Sequence, residues 1–233
     1  MIKFVRIVTF LLAVVITVIS IFFIDAEQEF AQARLAYRSG DMDQALRKAR
    51  RANRAFSDDD RKVQAYFLQA RAAAKMNWQA KAKDYLDRLL SLDSENVGGL
   101  LFRGELQHQL GENEQALPDL NKGLNLLPEN SSNTTRAYYH TQRGLTFLAL
   151  NRDEEANADA LEALKFNTNL PEAHDLMSKV FEERGDIKNA LAECERAYQL
   201  SLERNKLSFM TPEGEKLSDR LVDLRVKYVR SKK

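Results

Sequence analysis

The sequence predicts an all-α chain built by stacking helical hairpins. Three observations carry that prediction. Only nine glycines and four prolines occur in 233 residues, a helix-former's composition. A short phrase recurs at a regular interval. Apolar residues stand at helical rather than strand spacing on both sides of each recurrence. The phrase reads GDMDQALRKA from Gly40, GENEQALPDL from Gly111, NRDEEANADA from Asn151 and GDIKNALAEC from Gly185. Each copy opens on a turn residue, passes through a polar stretch and reaches an alanine five places on.

Aligning the turn residues Gly40, Asn77, Gly111, Asn151 and Gly185 gives intervals of 37, 34, 40 and 34 residues. Seven positions before each turn stands a small residue: Ala33, Ala70, Gly104, Gly144 or Ser178. Five positions after it stands Ala45, Ala82, Ala116, Ala156 or Ala190, and twelve after it Ala52, Leu89, Gly123, Ala163 or Ala197. Small side chains there let two antiparallel helices approach closely and let each pair stack on the next. In the fifth unit Leu176, Val180 and Phe181 precede the turn, and Leu191, Cys194 and Tyr198 follow it. Asp41, Glu112 and Asp186 stand where a second helix begins, each as a first-turn acid or N-cap. A hairpin of this size cannot bury its apolar stripe alone, so stacking completes the core.

This pattern resembles the tetratricopeptide repeat, a 34-residue unit reading W-x2-L-G-x2-Y, then A-x3-F, then P. The third unit carries it as Leu100, Arg103, Gly104, Gln107, Ala116, Leu120 and Pro128. The fourth carries it as His140, Arg143, Gly144, Phe147, Ala156 and Ala160. The closing proline is replaced by Ser57, Ser94, Thr168 and Leu202 elsewhere, and Pro118 falls inside a second helix, where it removes a backbone bond. The resemblance implies a tetratricopeptide-repeat superhelical solenoid of about five hairpins over residues 26–202. Their limits are about 26–59, 63–96, 97–130, 137–170 and 171–202. SDDDRK (57–62) and PENSSNTTR (128–136) lengthen two joints with polar residues that read as surface loops. LSFMTPEG then breaks the helix within a linker, 203–214. Leu217, Leu221, Leu224 and Tyr228 form one stripe of a C-terminal capping helix, 215–230, with a polar outer face expected at an open solenoid end.

Ahead of the repeats, Ile7 to Ile24 is an uncharged run of 18 residues. As a helix it spans roughly 27 Å, close to a bilayer's hydrocarbon core, so 7–24 reads as an N-terminal transmembrane helix. Lys3 and Arg6 precede the run, and Asp25, Glu27 and Glu29 follow it. That asymmetry places a short N-terminus, 1–6, in the cytoplasm and the repeats on the extracytoplasmic (periplasmic or lumenal) side of a single-pass membrane protein. A signal peptide cleaved at Ala26 is the competing reading, although its apolar core is usually about 7–15 residues.

Lysine plus arginine (35) nearly balances aspartate plus glutamate (34), which argues against a dedicated nucleic-acid binder. The single cysteine, Cys194, forms no internal disulfide framework and lies on an apolar stripe, as an inert thiol does. His140 and His174 occupy equivalent repeat positions, but no carboxylate or cysteine joins them at ligand spacing. They read as packing bodies, as does His108, rather than as a metal pair. No glycine-rich phosphate loop or serine elbow occurs. The chain reads as a non-enzyme, with no catalytic residue, metal or cofactor expected.

The resemblance implies that the first helix of each unit lines a concave groove for a partner. Its inward positions fall on Phe30, Arg34, Tyr37 and Arg38 in the first unit and on Phe67, Arg71 and Lys75 in the second. Arg34 with Arg71, and Arg38 with Lys75, would then align as a basic ladder beside aromatics, a composition suited to carboxylates. The family's dicarboxylate clamp is not reproduced, because Arg34 and Arg71 stand at its asparagine place. The fifth unit's face is instead acidic, with Glu172, Asp175, Glu182 and Glu183 against Lys179. RKARRANR (47–54) is the densest basic run and reads as a solvated face or a contact for anionic lipid. The expected function is a membrane-tethered scaffold that binds a protein or peptide partner, acidic by this complementarity, in support of a membrane or envelope assembly. The alternatives are a self-assembling oligomer or coat, the acidic unit docking head to tail on the basic one, and a cytosol-facing import or chaperone receptor of opposite topology.

Overall fold

The structure, a computed structural model, describes residues 25–204 and 212–232. The expected membrane helix at 7–24 lies outside the described residues, as does most of the linker. Among the described residues there are eleven α-helices and no strand: α1 Ala26–Ser39, α2 Met42–Ala55, α3 Asp59–Lys75, α4 Gln79–Leu92, α5 Val97–Gln109, α6 Asn113–Asn125, α7 Asn133–Ala149, α8 Asp153–Phe166, α9 Pro171–Glu183, α10 Ile187–Arg204 and α11 Pro212–Ser231. None of these is long and apolar enough to cross a membrane. The chain divides into two compact units, one ending at Ser94 and the other beginning at Glu95. The first holds the hairpins α1–α2 and α3–α4. The second holds α5–α6, α7–α8 and α9–α10, with α11 against α10. Within each unit the first helices touch side by side, α1 with α3, α5 with α7 and α7 with α9.

All five hairpins reverse in the same way. Gly40, Gly111 and Gly185 adopt left-handed backbone with φ of 88°, 79° and 75°, and Asn77 and Asn151 do so at 59° and 56°. The next residue's N–H donates back five residues, from Asp41 to Ala36, Trp78 to Ala73, Glu112 to Gln107, Arg152 to Phe147 and Asp186 to Phe181, at 2.8–2.9 Å. The turn residue's own N–H bonds the carbonyl three back, as from Gly111 to His108 at 2.9 Å. This double closure is the Schellman motif, which satisfies the last free carbonyls of a helix. Only glycine enters left-handed backbone without a Cβ penalty, and asparagine is the side chain that tolerates it best. The second helix starts at once: Asp41 and Asp186 accept the N–H of Gln44 at 2.9 Å and of Asn189 at 3.2 Å. Glu112 holds the same position without a side-chain cap bond, its arm being one methylene longer.

The small residues lie at the helix crossings. Ala33, Ala45, Ala52, Ala70 and Ala82 in the first unit, and Ala116, Ala156, Ala163, Ala190 and Ala197 in the second, are fully buried. Gly123 shows how close the approach is: a Cβ there would sit 2.6 Å from Cγ and Cδ2 of Leu101, itself a buried side chain. In the first unit Phe30 packs edge-on against Phe56, ring centres 5.8 Å apart, over Ala49, Ala52 and Ala65.

The two long joints are only in part the loops expected. Asp58 caps α3 by accepting the Arg61 N–H at 2.8 Å, and Ser132 caps α7 by accepting the Thr135 N–H at 3.1 Å. Each cap starts its helix early, so α3 and α7 both reach 17 residues; the first joint keeps a short loop, 56–58, while the second also has a longer one, 126–132. Pro118 sits on the exposed side of α6, which continues through it. On α11, Leu221 and Leu224 are buried against Ala190 and Cys194, as the stripe predicts. Its outer side is not wholly polar, since Val222, Val226 and Val229 are exposed.

Two substitutions separate backbone from side-chain causes. No atom lies within 4 Å of a Cβ built on Gly111, so Gly111→Ala costs only its left-handed backbone, about 1–2 kcal/mol, and Gly111→Asn costs less. Gly123→Ala gains up to ~1 kcal/mol of helix propensity but forces Leu101 aside, which costs about 1–3 kcal/mol. The net sign is destabilising. Urea unfolding of each variant, read by far-ultraviolet circular dichroism, checks both.

Candidate functional site

The first-helix face of the first unit gathers most of the residues expected in a groove. Phe30, Arg34, Phe67 and Arg71, with Gln64 and Leu68, line a depression of about 260 Å³ between α1 and α3. Phe30 forms its floor, being 95% buried and committed to the core. Tyr37 lies beside it, half-buried, with the Arg71 guanidinium 4.8 Å and the Lys75 ammonium 5.2 Å from its ring centre. Arg71 therefore joins the depression to the tyrosine. Arg38 is exposed in the last turn of α1. The nearby acids are engaged elsewhere: Glu27 with Arg61 at 3.1 Å and Glu29 with Lys48 at 3.5 Å. Arg34, Arg38, Arg71 and Lys75 have no carboxylate partner among the described residues.

The fifth hairpin is not the open acidic surface its sequence implies. Asp175 is held by Lys179 at 2.6 Å and by Arg220 at 2.5 Å. Glu182 is held by Arg220 at 3.1 Å and Lys227 at 2.5 Å, and Glu172 by Arg204 at 2.8 Å. Burial by itself would raise the Glu182 carboxyl, but these two cations hold it below the usual carboxylate range. Two of these four cations, Arg220 and Lys227, come from α11, outside the repeats. Glu172, Asp175, Lys179, Arg204 and Arg220 also border a cavity of about 360 Å³ with Leu145 and Leu217 on its walls. Nearby in the second unit, Tyr138 donates to Glu105 at 2.8 Å, and burial pushes the Glu105 carboxyl up despite that bond.

The histidines do more than fill space. His140 Nδ1 lies 2.9 Å from Asp159, and His174 Nδ1 lies 2.6 Å from Glu193, each pair 19 residues apart in the chain. Arg143 bonds Asp159 at 2.8 and 2.7 Å, and Arg103 bonds Asp119 at 2.6 and 2.8 Å, each pair 16 apart. Burial would raise the Asp159 carboxyl, but Arg143 and His140 together hold it below its ordinary value. These acids share one slot, eight positions after the turn residue, which reads Lys48, Tyr85, Asp119, Asp159 and Glu193 along the chain. In the first hairpin the polarity is reversed, with Lys48 on Gln32 and Glu29. Each hairpin except the second thus carries a polar clasp between its own two helices. The sequence signal for it was a recurrent polar residue inside the apolar stripe of each second helix. Among the described residues no group of three or more His, Cys, Asp or Glu is placed to hold a metal ion. Cys194 is fully buried, and burial raises its thiol pKa.

Repeated hairpins of this length, closed by left-handed turns over buried alanines, define a tetratricopeptide-like all-helical array, the class of fold used for protein–protein interaction scaffolds. The family model for the tetratricopeptide repeat matches residues 63–96, the α3–α4 hairpin. MamA 41-end from Desulfovibrio magneticus RS-1 is similar in structure, with a TM-score of 0.67 and 17% identity, over 78% of this chain and 99% of that one. TTC0263, a thermophilic TPR protein in Thermus thermophilus, gives 0.59 and 22% over 86% and 99%. The APC/C hetero-tetramer Cut9-Hcn1 gives 0.69 and 17% over 85% of this chain and 36% of that one. At these identities the likeness is one of fold. No curated protein matches the chain in sequence.

His174 makes the clasp's contribution measurable. Burial lowers its pKa, but the bonds to Glu193 and to the Thr168 carbonyl at 3.0 Å outweigh that and raise it above the ordinary value of 6.5. A raised folded value means that the stabilisation is complete below about 6.5 and is lost as pH rises through the folded pKa. The melting temperature of the protein should therefore fall as pH rises from 6.5 through that window. Glu193→Gln should flatten this fall, and an unchanged slope would assign the titration elsewhere.

Proposed function

We propose that the protein is a membrane-tethered scaffold whose first unit binds an acidic segment of a partner protein on the α1–α3 face. The observation that carries this reading is four cations without carboxylate partners among the described residues, Arg34, Arg38, Arg71 and Lys75, around Tyr37 and a depression of about 260 Å³. Arg71, prealigned over the Tyr37 ring, loses less freedom on meeting a carboxylate than a free side chain does, and arginine with tyrosine is the composition of binding hot spots. The tether is the 18-residue apolar run at 7–24, and the flanking Lys3 and Arg6 favour an extracytoplasmic repeat domain. Protease protection of the repeats in sealed membranes tests that orientation. A cytosol-facing receptor requires the opposite result.

A second reading, a homo-oligomer, is favoured by the exposed Val222, Val226 and Val229 on α11, one stripe at helical spacing. The acidic-to-basic docking first expected is less favoured, because three acids of the fifth hairpin, Glu172, Asp175 and Glu182, are already paired and Glu183 alone is not, among the described residues.

Capture from mildly solubilised native membranes, comparing wild type with the Arg34→Glu, Arg71→Glu double variant, tests the scaffold. Both side chains are exposed, so helicity should be unchanged. Loss of two charge-assisted contacts should weaken partner binding by about 100-fold or more. A partner retained equally by both proteins removes the α1–α3 face from the function. Recovery of the chain alone supports the homo-oligomer.

A further inference from the structure

A second depression in the first unit shares no residue with the α1–α3 face. It has a volume of about 360 Å³ and opens between α2, α3 and α4. Four cations border it, Arg50 and Arg54 from α2 and Lys81 and Arg88 from α4, against the single carboxylate Asp84. Arg88 pairs with that carboxylate at 3.2 Å, so three cations remain uncompensated. Arg50 is fixed in place: its Nε donates to the Tyr85 hydroxyl at 2.7 Å, and its guanidinium lies 5.6 Å from that ring's centre.

The position of Tyr85 marks this place as built differently from the rest. In the other four hairpins the equivalent slot holds a charged side chain clasped by the hairpin's own first helix. Here it holds an aromatic that orients an arginine from the preceding hairpin. The basic run RKARRANR is thereby divided. Arg47 pairs with Asp43, Lys48 serves the clasp, and Arg50 and Arg54 reach the depression. Asn53, on the same wall, has its amide Oδ1 buried without a hydrogen-bond partner. An unmet buried acceptor is costly, and turning the amide toward a donor on a ligand would relieve it.

We propose that this depression binds a phosphate ester that carries hydroxyl groups. The phosphoryl oxygens accept from Arg54, Lys81 and the remaining edge of Arg50, and a ligand hydroxyl donates to Asn53. Three positive charges converging from two helices match a compact dianion with several acceptor oxygens. A soluble polyol monophosphate is such a dianion, and the phosphoglycerol headgroup of an anionic lipid, a monoanionic diester, shares its phosphoryl acceptors and hydroxyls.

The only tryptophan of the chain, Trp78, reports on the site, because the Lys81 ammonium sits 4.7 Å from its ring centre. Drawing that lysine onto a phosphate alters the indole emission. The full chain in neutral detergent is titrated with glycerol phosphate and with inorganic phosphate. A saturable change is expected, with glycerol phosphate binding more tightly. Arg54→Gln should weaken binding about tenfold, the loss of one charge-assisted contact. Asn53→Ala should abolish the preference for glycerol phosphate, and Arg34→Gln, on the other face, should leave both titrations unchanged. In nanodiscs, a response to phosphatidylglycerol but not phosphatidylcholine, without added ester, identifies the lipid as the source. A response that requires the soluble ester identifies the free compound, and either supports the site. An unsaturable change equal in Arg54→Gln is ionic screening and overturns it. A response to polyglutamate with none to phosphate esters also overturns it and assigns the depression to an acidic protein.

Discussion

The left-handed residue at each hairpin tip is the constraint on which the other structure depends. The Schellman closure ends one helix and, within two residues, allows the next to begin. The two helices then lie antiparallel at a fixed register. That register brings position −7 of the first helix against position +5 of the second, counted from the turn residue. Position +12 meets residues nearer the start of the first helix, as Gly123 meets Leu101 and Leu100, so both positions favour small side chains, Leu89 being the exception. Close approach in turn makes the polar slot at +8 reachable from the first helix. An arginine or histidine there meets an acid across a gap short enough for bonds of 2.6–2.9 Å. Turn, crossing and clasp are successive results of one backbone geometry.

Much of this was legible in the sequence because it depends on residues with few substitutes. Left-handed backbone admits glycine and asparagine almost alone, so the five turns, and with them the number of hairpins, are written in the sequence. The buried crossings admit alanine, glycine or serine, which made the small-residue pattern readable. Helix starts were less legible, because a single Asp58 or Ser132 decides whether a polar run is loop or first turn.

The surfaces were harder to read, since a charge's meaning depends on what faces it. Glu172, Asp175 and Glu182 look acidic along their own helix, yet Arg204, Arg220 and Lys227, at 32 to 45 residues' distance along the chain, cancel them. The clasp slot escaped recognition because its identity changes from Lys48 to Tyr85 to Asp119 while its geometry stays constant. Arg34 and Arg71 are left without carboxylate partners among the described residues, because the neighbouring Glu27 and Glu29 turn to Arg61 and Lys48.

The network that seats α11 has a further consequence. Arg220 and Lys227 belong to the same chain as the carboxylates they neutralise, so they meet them at an effective concentration on the order of millimolar, independent of dilution. A basic visitor to the fifth hairpin must outcompete a tethered occupant, whereas an acidic visitor to the first meets no such rival. Selectivity for the sign of a partner's charge thus follows from which hairpin carries its own counter-ions.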